Sequence, residues 1–356
     1  MAIRGNCLNR RDVLKGIGIG AVGLAFGRKP FGPAGTFAAP GSPLVQKNGI
    51  YRTQAPPAKV ALIKGNDRRE ITYQALKKIE DQILPAIGNK KILIKPNFVV
   101  TNRPLAATHV DAVRGILDFL MPHYKGQIII GESTTSKEGT FDGYKNYGYL
   151  PLEKEYKVKL VDLNKQPFQY RYVIGKAHRP AAIRIIATFL DPDLYIISAA
   201  KMKTHDRVVT TLSLKNVLLG SPLNDYKTND KWLTHADYTF RRDSLLHYNM
   251  FTLAQEIYPD LGVIDGFEAM EGNGPTSGTP VDARLAMAST DPLAMDTLAT
   301  KLMGFDPTQI MYLTAFAEAG MGQADFDKIE VLGTPPDQCQ HKFKIHDRMA
   351  EVYGAY

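Results

Sequence analysis

Strand-like and helix-like patterns of hydrophobic residues alternate along most of this chain. Apolar runs with the length and composition of buried strands occur at 59–64, 91–97, 127–132, 158–164, 193–203, 261–266, 283–289 and 329–333. Helical spacing of apolar residues occurs over 71–84, from Thr108 to Leu120, and over 243–258, 292–303 and 308–319. Alternation of this kind predicts a three-layer α/β fold, with a largely parallel sheet, helices on both faces, and one or two lobes.

The first 39 residues have the pattern of an export signal rather than of a nucleotide-binding fold. A G-x-G-x-x-G pattern lies at 18–23, but charged residues precede it where a buried strand is required, and no acidic residue follows within 20 positions. The segment NRRDVLK (9–15) resembles a twin-arginine signal, and the mildly apolar run 16–26 that follows is too short to span a bilayer. We therefore expect a twin-arginine signal in residues 1–39, cleaved near position 38 or 39.

The rest of the chain divides into three segments by composition. Residues 40–57 are rich in Pro, Gly, Ser and Gln and predict a linker. Residues 58–340 contain the alternating strands and helices of the α/β domain, and 341–356 predict a C-terminal helix or tail. No later segment approaches 18 unbroken apolar residues, so we expect no membrane span after cleavage. The export machinery is then a partner, and the mature protein is expected outside the cytoplasm, in the periplasm.

Net charge and cysteine content exclude two classes of protein. The net charge of +8 is concentrated in residues 1–39, which hold six Lys or Arg and one Asp. The remainder has no basic excess of the kind that binds nucleic acid, and no nucleic-acid-binding motif is found. Cys7 lies in the predicted signal, which leaves only Cys339, so a conventional four-cysteine iron–sulfur cluster is not expected.

Lysine and amide side chains cluster at the ends of the predicted strands, where open α/β sheets bind their ligands. In KMKTH (201–205), strand alternation puts two lysines and His205 on one face, and three neighbouring cations repel unless an anion or a carboxylate lies between them. A solvated edge strand protected by its lysines is the alternative. The candidate ligand-binding residues are Lys95, Asn97, Lys201, Lys203, Lys215, Asn216 and Asn273.

Carboxylates at other strand ends suggest a second kind of chemistry. In DGFEAME (265–271), the acidic residues are three apart and would share one face of a helical turn. Oxygen ligands suit Mg²⁺ or another divalent cation, whereas an acidic surface turn is the alternative. The candidate metal ligands are Glu132, Asp265, Glu271 and Asp296. His205 and Asp265 are the candidate acid–base residues.

Several blocks of the sequence resemble the signature of the domain of unknown function 362 family. They are KPN (95–97), KMKTH (201–205), SLKN (213–216), DGFEAMEGNGP (265–275), ASTDPLAMD (288–296) and LMG (302–304). The resemblance covers some two-thirds of the chain and implies that these blocks contain the site. Some members of that family carry a fused iron–sulfur module with cysteine motifs, which this chain lacks.

These observations favour an exported enzyme that acts on a small phosphate- or carboxylate-bearing molecule. A periplasmic solute-binding protein without catalysis would use the same lysines and needs neither a metal nor a base. A cofactor-carrying redox accessory protein is a third hypothesis, since twin-arginine export serves proteins that load a cofactor before crossing the membrane.

Overall fold

A nine-stranded sheet forms the centre of the part of the chain that the structure, a computed structural model, describes: residues 55–236 and 240–354. Two further strands pair only with each other. The strands are β1 (Ala58–Lys64), β2 (Lys91–Lys95), β3 (Ile128–Glu132), β4 (Lys159–Asp162), β5 (Phe168–Ile174), β6 (Pro180–Ile186), β7 (Leu194–His205), β8 (Val209–Thr211), β9 (Leu261–Glu271), β10 (Thr279–Ser289) and β11 (Ile329–Gly333). The predicted signal and residues 40–54 of the predicted linker lie outside the described residues.

The central sheet is largely parallel, as predicted. Its strand order is β11-β1-β10-β9-β7-β2-β3-β4, with β8 paired to β7. Only β10 and β8 run antiparallel to their neighbours. From β2 the chain proceeds to β3 and β4 on one side, and then returns so that β7 pairs with the other side of β2. The junction of β2 and β7 is therefore the switch point of the sheet, where α/β proteins of this kind form their ligand crevice.

Helices cover both faces of the sheet and produce the predicted three layers. The helices are α1 (Arg68–Lys77), α2 (Glu80–Ile87), α3 (Val110–Leu120), α4 (Thr140–Asn146), α5 (Leu152–Tyr156), α6 (Ser213–Leu218), α7 (Asp230–His235), α8 (Leu245–Ala254), α9 (Pro292–Leu302), α10 (Met311–Glu318) and α11 (Asp347–Tyr353). Within the described ranges, no helix has the length and apolar character needed to cross a membrane.

Two hydrophobic cores lie on opposite faces of the sheet, because strand side chains alternate in direction. On β2, Ile92 and Ile94 pack into the core with α1 to α5, whereas Leu93 packs into the core with α6 and α8 to α10. On β7, Ile196 and Ile197 divide in the same way. Strands with both faces buried appear in the sequence as continuous apolar runs, which explains why their positions were predictable.

Several element boundaries differ from the prediction. The helix predicted over 71–84 is interrupted between α1 and α2, and the first N-cap is Asp67 rather than Thr72. The N-cap of α3 is His109 rather than Thr108, whose hydroxyl instead donates to the carbonyl of Ala199. The strand predicted at 261–266 continues to residue 271 as β9. A helical face for the acidic residues of 265–271 is therefore wrong, since hydrogen bonding to β10 keeps this segment extended.

Candidate functional site

A cavity of about 340 Å³ opens at the switch point, beyond the carboxyl ends of β2, β3 and β7. It combines charged groups at the strand ends with apolar side chains. Of the predicted ligand-binding and acid–base residues, the lining includes Lys95, Asn97, His205, Lys215 and Asn216. The other lining residues used below are Phe98, Glu132, Ser133, Asp206, Arg207, Leu219, Lys231, Trp232, His235 and Pro275.

A buried hydrogen-bond network joins the ends of β2 and β3 to helix α6. The Lys95 ammonium donates to Glu132 Oε2 at 2.8 Å and to Asn216 Oδ1 at 3.1 Å. Asn97 Nδ2 donates to the same Asn216 oxygen at 3.1 Å, and Asn216 Nδ2 donates to the Lys95 carbonyl at 3.0 Å. Three of the predicted ligand-binding residues thus bind one another. Glu132, predicted as a metal ligand, instead neutralises a buried lysine.

The KMKTH segment has the predicted alternation on β7, but its cations have different partners. Lys201 Nζ lies 3.4 Å from Asp265 Oδ2, and Lys203 Nζ donates to the Ala106 carbonyl at 2.6 Å. Both ammonium groups are buried, and neither side chain lines the cavity. His205 ends the strand and does line it. The three side chains therefore share a face, as predicted, without sharing one ligand site.

Lys215 has no hydrogen bond or ion pair with any residue in the described ranges, although its side chain is 8% exposed and lines the cavity. Burial is the main reason why the pKa of the Lys215 ammonium is lowered to about 8; the Asp206 carboxylate opposes the shift, and the charges of Arg207 and Lys95 contribute to it. The nearby Lys215 charge also lowers the pKa of buried Lys203. Burial of a charged ammonium that forms no hydrogen bond or ion pair is energetically costly, and a bound anion would offset that cost.

Asp296 positions the helix that carries Lys215. Its carboxylate accepts hydrogen bonds from the backbone N–H groups of Ser213 at 3.0 Å and Leu214 at 2.9 Å, at the start of α6. Burial raises the pKa of Asp296 to about 8, and these two hydrogen bonds oppose the shift. Asp296 was predicted to be a metal ligand. In the structure it stabilises the first turn of α6 instead. The first backbone N–H groups of a helix have no acceptor within the helix, and Asp296 supplies one for two of them.

Two imidazoles face the cavity beside Lys215. His205 Nδ1 accepts a hydrogen bond from the Arg207 backbone N–H at 3.1 Å, and His235 Nδ1 lies 2.6 Å from the Lys231 carbonyl. The ring centroids are 6.5 Å apart. Burial, followed by the charge of Lys215, lowers the pKa of both rings, that of His235 to about 3 and that of His205 well below its usual value. Both imidazoles are therefore neutral at pH 7.

Asp265 lies at a separate buried site on the α1 and α3 side of the sheet. Its carboxylate is 3.4 Å from Lys201 Nζ and 3.2 Å from Arg68 Nε, and it accepts the His109 backbone N–H at 3.1 Å. Burial opposes ionisation, but Lys201 and Arg68 outweigh it and lower the pKa of Asp265. The residue is an ionised partner of two cations and does not line the cavity.

The end of β9 contacts the C-terminal segment. Glu271 accepts the Lys344 backbone N–H at 2.8 Å, and Asn273 exchanges hydrogen bonds with Asp347 at 2.8 and 3.2 Å. The four predicted metal ligands therefore have four different sets of partners. Among the described residues, no group of three or more His, Cys, Asp or Glu side chains has the arrangement of a metal site.

A family model described as a domain of unknown function, DUF362, matches residues 92–301, more than half of the chain. The chain belongs to the DUF362 family. This confirms the resemblance noted from the sequence blocks. The matched range of this DUF362 protein contains every residue described above as lining the cavity.

Two known proteins are similar to this DUF362 chain. A thylakoid-associated protein of Synechocystis sp., sll1697, is 28% identical over 266 residues, which cover 74% of this chain and 78% of that protein. A crystal structure of a Thermotoga maritima protein aligns over 73% of this chain and 60% of its own chain, with 10% identity and a TM-score of 0.38. The chain thus spans about three-fifths of that structure, and so low a TM-score does not establish a shared fold.

Sequence reasoning missed the contribution of α7 to the site. Lys231 Nζ donates to the carbonyls of Pro222 at 2.6 Å and Gly220 at 2.7 Å and to Ser133 Oγ at 3.1 Å. His235 lies four residues later, on the same face of the helix. The segment NDKWLTH (229–235) contains this spacing, together with the Asn229 cap. Its place beside β3 and β7 depends on contacts distant in sequence, which the pattern does not reveal.

Proposed function

We propose that this DUF362 protein is an enzyme that binds a small phosphate- or carboxylate-bearing molecule in the switch-point cavity. The observation that carries the proposal is the Lys215 ammonium, which lines the cavity and makes no hydrogen bond or ion pair in the described part of the chain, although Asp206 attracts it. Charge-assisted hydrogen bonds to an oxyanion would replace the water that burial removes. An anion is the ligand class that satisfies this group.

The balance of charge around the cavity supports the same ligand class. Four lysine or arginine side chains and two carboxylates line it, and burial lowers the pKa of one of the four, Lys231, to about 7, so that about half of its charge remains at pH 7. Glu132 is already paired with Lys95, at 2.8 Å. Asp206 contacts His205 and Arg207 rather than Lys215. The cavity thus has a positive excess, and the focusing effect of its low-dielectric walls increases the local concentration of small anions.

The walls indicate that the anion has an apolar body. Phe98, Leu219 and Pro275 line the cavity together with Trp232. Small-molecule sites commonly combine such apolar walls with a few polar groups that fix orientation. We therefore propose a ligand in which a phosphate or carboxylate contacts Lys215 and a short hydrocarbon or ring packs against these side chains.

Two neutral imidazoles favour an enzyme over the runner-up, a solute-binding protein. A neutral imidazole can donate one hydrogen bond to an anion, but its unprotonated nitrogen repels an oxyanion, so a pair of neutral rings beside the lysine suits proton transfer better than anion binding alone. General acid–base catalysis requires groups that can both donate and accept a proton within reach of the ligand. His205 was predicted in this role, and His235 is a second candidate because it lines the same cavity.

A calorimetric titration with inorganic phosphate, in the presence and absence of EDTA, tests the proposal. We expect one binding site per chain and an affinity that the chelator leaves unchanged, because lysine rather than a metal neutralises the anion. Binding that requires added Mg²⁺ would instead support the predicted divalent cation. No binding of phosphate or of pyruvate would contradict the anion site.

The affinity for sulfate should fall as the pH is raised through about 8 and above. Sulfate keeps its charge over this range, whereas the Lys215 ammonium loses its proton, because burial lowers the pKa of this group to about 8. Lys215→Arg is the matched control: its guanidinium stays charged up to pH 10, so the fall near pH 8 should disappear and only the change caused by Lys231, whose pKa is lowered to about 7, should remain. Parallel profiles for both proteins, measured by calorimetry, would show that another group binds the anion.

Export by the twin-arginine pathway remains part of the proposal. Arg10→Lys with Arg11→Lys should leave the precursor in the cytoplasm, because that pathway recognises the arginine pair rather than the charge. Cell fractionation and immunoblotting measure the distribution. Full export of the double variant would show that the first 39 residues are not a twin-arginine signal.

A further inference from the structure

Hydrogen bonds fix opposite proton positions on the two imidazoles of the cavity. His205 Nδ1 lies 3.1 Å from both Asp206 Oδ1 and the Arg207 backbone nitrogen, but its hydrogen bond is with the Arg207 N–H, which can only donate, so in the neutral ring Nδ1 accepts and the proton is on Nε2. A carbonyl can only accept, so His235 carries its proton on Nδ1, and its Nε2 has a free lone pair. The hydrogen bonds that these rings form within residues 55–236 and 240–354 are made by their Nδ1 atoms and not by Nε2. The cavity therefore presents one imidazole donor and one imidazole acceptor.

Lys215 lines the same cavity as these two rings. Its charge is the strongest neighbouring influence on both imidazoles, ahead of every other ionisable side chain. The charges of Arg207 and Lys95 also lower the pKa of Lys215, whereas the Asp206 carboxylate opposes the shift, and the pKa is lowered overall because burial is the largest cause. An amine that is desolvated and surrounded by other cations gives up its proton more readily, which is one recognised way in which proteins activate a lysine nucleophile.

We propose that Lys215 forms a Schiff base with a carbonyl carbon of the bound anion, so that the substrate class is an oxo acid or a phosphorylated ketone or aldehyde. This inference rests on the proposed anion-binding function and names its substrate class and nucleophile. The ammonium form of Lys215 recruits the anion. The neutral form then attacks the carbonyl group of the same molecule.

The proton transfers balance within the cavity. His235 Nε2 accepts a proton from the Lys215 ammonium, and the freed amine forms the C–N bond while the carbonyl electron pair moves to oxygen. The His205 Nε2–H group donates a hydrogen bond to that developing oxyanion. The C–O bond then breaks, and the oxygen leaves as water with the proton from His235 and one from nitrogen. The nitrogen lone pair forms the C=N bond, and the protonated imine keeps the third ammonium proton.

The negative charge of the substrate should make His235 a stronger base. The Lys215 cation contributes to the low pKa of His235, which burial and neighbouring charges bring to about 3. An anion bound beside Lys215 offsets that repulsion and raises the pKa of the imidazole, so that His235 becomes a better base when substrate is present. Without a bound anion, burial and the Lys215 charge keep both imidazoles neutral, so that His235 is able to accept a proton from Lys215.

Reductive trapping tests the proposal on the full-length protein. Wild-type protein is incubated with pyruvate or with dihydroxyacetone phosphate, reduced with sodium borohydride, digested, and mapped by mass spectrometry. We expect one reduced adduct per chain on the peptide that contains Lys215. Absence of that adduct with both probes, or labelling spread over the surface lysines, would overturn the proposal.

Two variants distinguish Schiff-base formation from anion binding by the positive charge of residue 215. Lys215→Arg retains a cation, so it should still bind phosphate by calorimetry while its trapping is lost. His235→Gln should slow adduct formation at least tenfold without changing phosphate affinity more than about twofold, whereas His178→Gln, an exposed histidine on the β5–β6 turn, should trap normally. Trapping by Lys215→Arg would refute the assignment of the nucleophile. Wild-type protein that binds phosphate but forms no adduct would refute this inference alone and leave the anion site standing.

Discussion

Replacing Lys215 with Met should weaken binding of inorganic phosphate by at least about 30-fold. Loss of one member of a buried, hydrogen-bonded charge pair costs about 2–5 kcal/mol, and each 1.4 kcal/mol is a factor of ten in affinity. Methionine retains the length and apolar stem of the side chain. The loss therefore reports the charge rather than a collapsed cavity, and calorimetry measures it directly.

The unliganded Lys215→Met variant should be as stable as the wild type or more so. Its ammonium has no hydrogen bond or ion pair in the described ranges, and removing it avoids the cost of burying a charge and relieves repulsion with Lys203 and Lys95, which together outweigh the lost attraction to Asp206. Lys227→Met, at an exposed turn lysine, is the matched control and should change neither affinity nor stability. A variant that loses more than about 2 kcal/mol of unfolding free energy without ligand would show that Lys215 is structural.

Asp265→Ala should lower the free energy of unfolding by about 3–5 kcal/mol, because it leaves two buried cations without their carboxylate. Lys201 and Arg68 lie 3.4 and 3.2 Å from Asp265, whose side chain is 1% exposed. Urea denaturation at pH 7 measures the change. The pKa of Asp265 is lowered in the folded state, so its stabilising contribution is present at neutral pH and is lost as the pH falls through the folded pKa.

Glu268→Ala is the matched control for Asp265→Ala. Glu268 lies on the same strand and is exposed, and its removal should change stability by no more than about 0.5 kcal/mol. If a metal rather than two cations neutralised Asp265, EDTA would lower the stability of the wild type as much as the substitution does. Equal unfolding energies for the two variants would contradict the buried ion-pair cluster.

Much of the sheet was predictable because its strands are buried on both faces. IEVLG (329–333) matches β11 in both bounds, and most of the other predicted strands agree within a few residues. The KMKTH alternation on β7 also follows from strand geometry alone. The β5–β6 hairpin was missed, since Phe168, Tyr170 and Tyr172 are exposed and form no apolar face that a burial pattern would reveal.

The roles of the site residues were less predictable than their positions. Lys95 and Asn97 do lie at a strand end that lines the cavity, but the partner of Lys95 is Glu132 on the neighbouring strand, 37 residues away. Whether a carboxylate pairs with a lysine or faces a cavity depends on which strands are adjacent. The local pattern of hydrophobic residues does not predict the order of the strands in the sheet. The same limit hid His235, which a helix brings beside Lys215 from outside the recognised sequence blocks.

A crystal structure of the wild-type protein equilibrated with inorganic phosphate at pH 7 tests the central claim most directly. The claim is that Lys215 binds a small anion in the switch-point cavity. It predicts a phosphate oxygen about 2.7–3.2 Å from Lys215 Nζ, within the space between His205, Trp232 and Phe98. Phosphate bound elsewhere, with the Lys215 ammonium paired to a carboxylate or carbonyl of the protein, would contradict it.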